Sequence, residues 1–189
     1  MKIIENKLNF YGMDLLNEVN YLVVHHTATT YDMTIEELHN MHQNDPNFKY
    51  SGVGYHYYIR KNGEIFKGRD EKFVGAHVLG NNFESIGICL SGNFELEEPT
   101  EKQINSLSEI LRFLKSKYKN ADIVGHCDLY STKCPGKNLY KMLKNLSLEK
   151  RKAKLFIHDG RGKIITDDCI YELDDIKFNG SLNLIFSSQ

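Results

Sequence analysis

The sequence has little of several things, and each shortage excludes a class of protein. It contains no tryptophan and only three prolines among 189 residues, and its 24 basic and 25 acidic residues leave a net charge of −1. With 41% hydrophobic and 26% charged residues, the composition is that of a globular domain, not of a collagen-like or disordered chain. The balanced charge argues against duplex nucleic acid as the main partner. No apolar run reaches the roughly 18 residues of a membrane-spanning helix, so we expect no membrane insertion.

Cysteines are also few, and none forms a C-x-x-C pair. They stand at four scattered positions: Cys89, Cys127, Cys134 and Cys169. In a cytoplasmic chain, scattered thiols are more often core residues or metal ligands than a disulfide framework. The N-terminal run MKIIENKLNF reaches Glu5 and Lys7 before any apolar stretch develops, which is not typical of a secretory signal. We therefore expect a protein that is made in the cytoplasm and stays there until it is released.

Apolar periodicity and turn signals predict strands that alternate with helices. Strands are expected at residues 20–26, 53–59, 64–67, 85–90 and 121–125, with Asn62-Gly63 as the hairpin turn. Helices are expected after the N-cap Thr34, with Glu37 as its capping-box partner, and at 100–118 and 138–146. This alternation predicts an α/β fold, a central mixed β-sheet flanked by helices.

The composition changes after about residue 146. Residues 149–154, EKRKAK, form a basic run, and residues 155–189 contain LFIH, KIIT, IYEL and LNLIF, with a turn at 159–162. This pattern predicts three or four short strands. A unit of this size is too small to be expected to fold on its own. We therefore expect a main domain at 1–148 and a basic linker with a short β-rich C-terminal extension at 149–189. The extension is either a small β module or is packed on the main domain.

Three side chains at predicted strand ends and in one loop suggest a metal site. They are His25 in VVHHTAT, His126 in VGHCDL and Cys134 in TKCPG. Open α/β sheets place ligands at strand ends, and imidazole and thiolate are favoured zinc donors. Three donors leave one tetrahedral position open, as a catalytic zinc requires. A histidine at a strand end is also commonly structural, so the spacing alone leaves both interpretations open.

Several separated motifs occur in an order that resembles a known family. They are VVHHTAT, GVGYHYYI with NGEIFKGRD, VGAHVLGNNFESIGICLSG and GHCDLYSTKCPG. Together they resemble the type-2 N-acetylmuramoyl-L-alanine amidases, a family that includes small phage amidase lysozymes and animal peptidoglycan recognition proteins. The resemblance covers about residues 19–145. It implies a mixed sheet with helices on its faces and a zinc ion at the floor of a groove.

The resemblance assigns the zinc ligands to His25, His126 and Cys134. Relatives that only recognise peptidoglycan often lack the cysteine, so Cys134 favours an enzyme. The expected reaction is zinc-dependent hydrolysis of the amide bond between N-acetylmuramic acid and L-alanine, by an endolysin or autolysin. A secretion-system effector fits equally well, and the alternative from another class is a catalytically idle peptidoglycan-binding or sensing module. We expect a monomer whose partner is peptidoglycan, and the basic run then has a second interpretation, a contact with anionic wall polymers.

Further roles are implied for four positions. The resemblance places Tyr55 beside the metal and Thr132 as a hydrogen-bond donor to the oxyanion of a tetrahedral intermediate, and it makes His77 and Asn82 substrate-binding residues. The chain also departs from its family: some members have a lysine where Thr132 stands, and Lys133 is one residue off. Other members have a catalytic glutamate at the position of Cys89, where we expect a buried strand thiol.

The remaining histidines and one cysteine have plainer interpretations. His26 should point to the strand face opposite His25, where it packs or hydrogen-bonds, and Cys127 is interpreted in the same way. His39 and His42 lie three residues apart on one helix face. They can bind a metal in that arrangement, but a half-exposed helix face is the preferred interpretation. His158 is expected at the surface.

Overall fold

A computed structural model describes residues 1–46 and 51–146, and the backbone of residues 154–158, 161–165 and 170–173. The chain divides into two compact units, Met1–Ser147 and Leu148–Gln189. Each unit is described by itself. The roles expected for the second unit, a linker and a β-rich extension or wall-binding module, stay predictions.

The described part of the first unit is built on a sheet of six strands. They are β1 (Ile3–Ile4), β2 (Tyr21–His26), β3 (Tyr57–Ile59), β4 (Ile65–Lys67), β5 (Ser85–Leu90) and β6 (Asp122–Gly125). The strand order is β1-β4-β3-β5-β2-β6, and β3 with β4 is the antiparallel pair among otherwise parallel neighbours. The predicted α/β fold with a central mixed sheet is confirmed.

Four α-helices accompany this sheet within the described ranges. They are α1 (Ile35–Gln43), α2 (Glu101–Lys117), α3 (His126–Leu129) and α4 (Lys137–Lys144), and a 3₁₀ turn covers Asn82–Glu84. The predicted capping box of α1 is present, since Thr34 and Glu37 exchange side-chain-to-backbone hydrogen bonds. Thr100 and Gln103 do the same for α2. These reciprocal bonds satisfy N–H groups that have no partner inside the helix, so both helices begin where the sequence predicts.

The two central strands, β2 and β5, bring the site residues into the core. Every residue of β5 is buried, as is every residue of β2 after Tyr21. Their parallel register places His25 opposite Cys89 and His26 opposite Leu90. Strands buried on both faces are nearly continuous apolar runs, so a polar side chain at the end of β2 is exceptional and needs partners.

The predicted strand at 53–59 is wrong in its first half, because only Tyr57–Ile59 form a strand. The preceding backbone makes its hydrogen bonds elsewhere. The N–H groups of Val53 and Gly54 donate to imidazoles of α1, at 3.2 and 3.1 Å. The carbonyl oxygen of Val53 accepts from the Arg69 guanidinium at 2.8 Å. These partners lie on other elements, so an aromatic and β-branched composition could not reveal them.

The second unit contains a small antiparallel sheet in its described residues. Its strands are β7 (Lys154–His158), β8 (Arg161–Ile165) and β9 (Ile170–Leu173), paired in that order. The strands predicted from LFIH, KIIT and IYEL are confirmed. The predicted turn at 159–162 is wrong at Arg161 and Gly162, which belong to β8. The LNLIF run, the basic residues 149–153 and the side chain of His158 lie outside the described residues.

Candidate metal centre

The end of β2, the start of α3 and the loop before α4 meet at one point. There the structure brings together His25, His126 and Cys134, whose potential ligand atoms all lie within 4.8 Å of one another. His25 Nδ1 is 3.6 Å from Cys134 Sγ, and the His25 and His126 rings are 4.6 Å apart between centroids. Nothing else in the described residues forms a comparable group of histidine, cysteine and carboxylate side chains.

Local hydrogen bonds fix the elements that carry these three side chains. Asp128 accepts from the Gly125 N–H at 2.8 Å, which holds the junction where β6 turns into α3. Cys127 N–H donates to the carbonyl oxygen of Cys134 at 2.8 Å and so ties the loop back to α3. Backbone hydrogen bonds therefore hold the segments that carry His126 and Cys134, independently of the contacts of their side chains. The Cys127 side chain is partly buried, and its predicted packing or hydrogen bonding stays a prediction.

Burial controls the protonation of the group. It lowers the pKa of His25 well below the ordinary value, with neighbouring histidines adding to the effect, and it also lowers the pKa of His126. Burial raises the pKa of the Cys134 thiol to about 12, although the His26 backbone N–H opposes this effect. Neutral imidazole is the form that binds a metal, but a thiol must first lose its proton. A cation among the three groups would stabilise the thiolate.

Two observations test whether these residues fit a metal ion. Nε2 of His126 is buried and has no hydrogen-bond partner among the described residues. An unpaired buried polar atom costs free energy, and a bond from this nitrogen to a metal ion would explain why it has no other partner. The His26 N–H donates to Cys134 Sγ at 3.4 Å, which is a contact that favours a thiolate. Two imidazoles and a thiolate are a donor set that zinc accepts, so the residues fit the ion.

His26 occupies the opposite side of β2, as predicted. Its Nδ1 accepts a hydrogen bond from the Phe94 N–H at 3.2 Å, and its ring lies beside that of Phe94. Burial lowers the pKa of His26, so the ring is neutral and can accept. The backbone N–H of His26 therefore contacts the candidate ligand Cys134, whereas its side chain packs in the core beside Phe94.

Tyr55 lies next to the three donors. Its ring centroid is 5.1 Å from that of His25 and 5.5 Å from that of His42. Complete burial raises the pKa of the Cys89 thiol well above its ordinary value. A side-chain hydrogen bond with Tyr55 opposes this effect. Cys89 is thus a buried strand thiol, as expected, and it contacts Tyr55 in the core under α1.

The two histidines of α1 are not on a half-exposed face, so that prediction is wrong. His39 is 4% exposed and its Nδ1 accepts from the Val53 N–H at 3.2 Å. His42 is partly buried and its Nδ1 accepts from the Gly54 N–H at 3.1 Å. Among the described residues, the segment before β3 has no neighbouring strand there, and the two imidazoles accept the backbone hydrogen bonds that such a strand would accept. Helical spacing places the two rings on one face but does not show what that face meets.

Thr132 stands two residues before Cys134. Its Oγ1 accepts from the Cys134 N–H at 3.2 Å, which leaves the hydroxyl proton available to donate. Lys133 is exposed, in keeping with its place one residue off the family position. Thr132 therefore lies beside the candidate ligand, and its predicted role as a donor to the oxyanion stays a prediction.

His77 and Asn82 shape one loop. Asn82 Oδ1 accepts from the backbone N–H groups of His77 and Val78, at 2.8 and 2.9 Å. The His77 ring reaches inward, where its Nδ1 lies 3.1 Å from Nε2 of His25. The predicted substrate-binding role of both residues stays a prediction.

Sequence reasoning missed two neighbours of the site. Tyr130, 46% exposed, stacks on the His126 ring with centroids 5.9 Å apart. Arg69, 5% exposed, holds the carbonyl oxygens of Val53 and Val74 through its guanidinium, each at 2.8 Å. Tyr130 lies between His126 and Cys134 in the HCDLYSTKCPG motif, and this position could have predicted that it neighbours the site. Nothing in the sequence marks Arg69 as buried.

Fold and site together define a class, an α/β protein with a group of two histidines and one cysteine at the end of a central strand, where His25 is buried and His126 and Cys134 are partly buried. Residues 15–137 match the family model described as N-acetylmuramoyl-L-alanine amidase. The chain therefore belongs to the N-acetylmuramoyl-L-alanine amidase family, and the resemblance found in its motifs is confirmed.

Individual relatives agree with this assignment. The chain is similar to the endolysin of Enterobacteria phage K11, with 32% identity over 134 residues that cover 67% of this chain and 87% of that protein. It is 31% identical over 140 residues to a peptidoglycan recognition protein of Trichoplusia ni, covering 69% of this chain and 76% of that protein. Among solved structures it is similar to the N-acetylmuramoyl-L-alanine amidase LysC from Clostridium intestinale URNW, with 37% identity, a TM-score of 0.70, and 77% and 96% of the two chains covered.

None of the helices in the described ranges combines the length and the apolar character that a membrane crossing needs.

Proposed function

We propose that this protein hydrolyses the amide bond between the lactyl group of N-acetylmuramic acid and L-alanine in peptidoglycan, with a zinc ion held by His25, His126 and Cys134. Family membership supports an amidase that acts on peptidoglycan, and the phage relatives support an endolysin that reaches the wall after release. The single observation that carries zinc dependence is the convergence of the three ligand atoms within 4.8 Å.

The chemistry divides between the ion and the chain. When bound, zinc would polarise the scissile carbonyl and lower the pKa of a water molecule to about 7, so that a nucleophile exists at neutral pH. Water adds to the carbonyl carbon, the carbon–nitrogen bond breaks, and the amine of L-alanine leaves with a proton. The products are a glycan strand and a free stem peptide.

Tyr55 and Thr132 supply the donors that this reaction needs. A phenol and an alcohol both carry an O–H proton at neutral pH and can donate to a developing oxyanion. The Tyr55 ring lies 5.1 Å from that of His25, and Thr132 is hydrogen-bonded to the backbone of Cys134, so both flank the candidate ligands. Loss of one donor of this kind lowers the rate by about 10²–10³-fold.

The second candidate function is peptidoglycan binding without catalysis. The similarity to a peptidoglycan recognition protein of Trichoplusia ni supports it. The intact donor group argues for the enzyme, because a binding module has no need of two imidazoles and a thiol that converge on one point.

A matched pair of cysteine variants tests the proposal. Cys134→Ser should remove both stoichiometric zinc and turnover, because the serine hydroxyl is a poor zinc ligand. Cys127→Ser changes the same atom seven residues earlier, outside the donor group, and should keep both. Zinc is measured by elemental analysis of the freshly purified protein, and turnover by mass spectrometry of digested peptidoglycan.

The outcomes separate the two candidate functions. One zinc per chain with release of stem peptides that begin with L-alanine supports the amidase. Zinc without released peptides supports the binding module. Wild-type protein that contains no zinc and regains none after reconstitution contradicts the proposed metal centre.

A further inference from the structure

A buried imidazole and a partly buried one are joined ring to ring at the end of β2. His25 Nε2 and His77 Nδ1 are 3.1 Å apart, with the ring planes nearly perpendicular. The other ring nitrogen of His25, Nδ1, lies 3.6 Å from Cys134 Sγ. Each nitrogen of His25 therefore has its own neighbour, the donor group on one side and His77 on the other.

The surroundings of His77 are built to hold its ring in this place. A Cβ atom at Gly75 or Gly87 would lie 2.4 or 2.6 Å from Cδ2 of His77, so both positions must remain glycine for the ring to fit. On the backbone side, Asn82 Oδ1 accepts from the His77 N–H at 2.8 Å. The ring is thus fixed between β5 and its own loop.

Neither nitrogen of this ring faces the exterior. Nδ1 is occupied by His25, and Nε2 is buried. A substrate-binding histidine would need at least one nitrogen that a ligand can reach. Both nitrogens of His77 therefore face other parts of the protein, and the substrate-binding role that the family resemblance suggested stays a prediction.

We propose that His77 is a positioning residue, which accepts a hydrogen bond from His25 Nε2–H and so aims His25 Nδ1 at the metal. This inference rests on the proposed zinc-dependent function. A histidine that binds a metal through one nitrogen carries its proton on the other, and the acceptor of that proton fixes the orientation of the ring. That acceptor is commonly a carboxylate or a carbonyl oxygen. Here an uncharged imidazole takes the place.

Two variants of similar shape isolate the acceptor. Leucine and asparagine both branch at Cγ, but only asparagine has an oxygen near the position of the histidine Nδ1. His77→Leu should weaken zinc binding about 10–100-fold, as the loss of such a partner typically does. His77→Asn should restore most of the affinity, because its amide oxygen can accept from His25 Nε2–H.

Zinc affinity is measured by competition with a chelator, and the ligand geometry by the visible absorption of the Co²⁺-substituted protein. Both readouts are independent of amidase activity. His39→Leu is the control, since it removes the hydrogen-bond acceptor of another buried histidine that does not belong to the donor group. It should lower stability but leave the zinc dissociation constant and the cobalt spectrum unchanged.

The results distinguish this inference from the proposed function. If wild-type protein binds no zinc, the proposed function fails and this inference fails with it. If wild type binds zinc and His77→Leu binds it equally well with an unchanged cobalt spectrum, only the positioning role is overturned. Weaker peptidoglycan binding by that variant would then make His77 a substrate-binding residue.

Discussion

At the scale of single residues, the site depends on histidines that burial keeps uncharged. His56 is an example outside the donor group. It is fully buried, its Nδ1 accepts from the Gly87 N–H at 3.0 Å, and its Nε2 lies 3.0 Å from the carbonyl oxygen of Phe73. Both bonds require the neutral ring with a proton on Nε2. Burial lowers the pKa of His56 to about 4 from an ordinary value of 6.5.

This shift predicts a loss of stability in acid. Between pH 6.5 and about 4 the unfolded chain binds a proton at His56 and the folded chain does not. The free energy of unfolding therefore falls as the pH falls through this range, by about 1.4 kcal/mol for each pH unit from this residue. The contribution is fully present above pH 6.5. Urea denaturation followed by circular dichroism across this range measures the slope.

The variant His56→Gln identifies the residue responsible. Glutamine does not titrate, so the variant should be less stable above pH 6.5 but should have a shallower slope between pH 6.5 and 4. Above pH 7 the two proteins should show parallel behaviour. Equal slopes across the acid range would contradict the assignment to His56.

At the scale of elements, α1 acts on the site through the segment that precedes β3. His39 and His42 accept the N–H groups of Val53 and Gly54, and the ring of His42 contacts that of Tyr55. On the other side, the backbone N–H of Arg69 donates to the Tyr55 carbonyl oxygen at 2.9 Å. Tyr55 is thus held by backbone bonds on both sides.

We predict that loss of the His42 acceptor impairs catalysis through Tyr55. His42→Leu leaves the Gly54 N–H unpaired, which should cost about 1–3 kcal/mol of stability, and it should lower kcat more than it raises KM. His42→Asn keeps an acceptor near Nδ1 and should recover most of the rate. Burial lowers the pKa of His42 to about 4, so the ring can accept throughout the neutral range.

Assays of peptidoglycan hydrolysis with zinc-loaded protein measure this effect. Asn40→Ala, at an exposed position of the same helix, serves as the control and should match wild type. A His42→Leu enzyme with normal kcat would show that Tyr55 does not depend on α1.

The comparison of α1 with the segment at 51–56 shows what sequence patterns can predict. The start of α1 depends on Thr34 and Glu37, three residues apart, and such a local signal is readable. The three candidate ligands were also readable, because strand ends and family motifs mark them. The bond between His25 and His77 spans 52 residues and that between His26 and Cys134 spans 108. Contacts of that range depend on how the chain folds back, so their partners could not be predicted.

At the scale of the whole molecule, the residues of the candidate site belong to one unit. The three candidate ligands, the six-stranded sheet and the region that matches the family, residues 15–137, all lie within Met1–Ser147. The solved amidase LysC is covered to 96% by only 77% of this chain. The second unit lies outside the residues that match the family model.

We predict that a fragment of residues 1–147 folds, binds one zinc ion and releases stem peptides at a rate close to that of the whole chain. The reason is that all six strands of the main sheet and the three candidate ligands lie within that range. Pelleting with purified cell walls then tests the second unit. If the fragment loses wall binding but keeps activity on soluble fragments, residues 148–189 act as a wall-binding module, and the basic run at 149–154 is the natural contact for anionic wall polymers. If pelleting is unchanged but the fragment loses solubility, residues 148–189 have a structural role. A fragment that binds no zinc would contradict the placement of the whole site in the first unit.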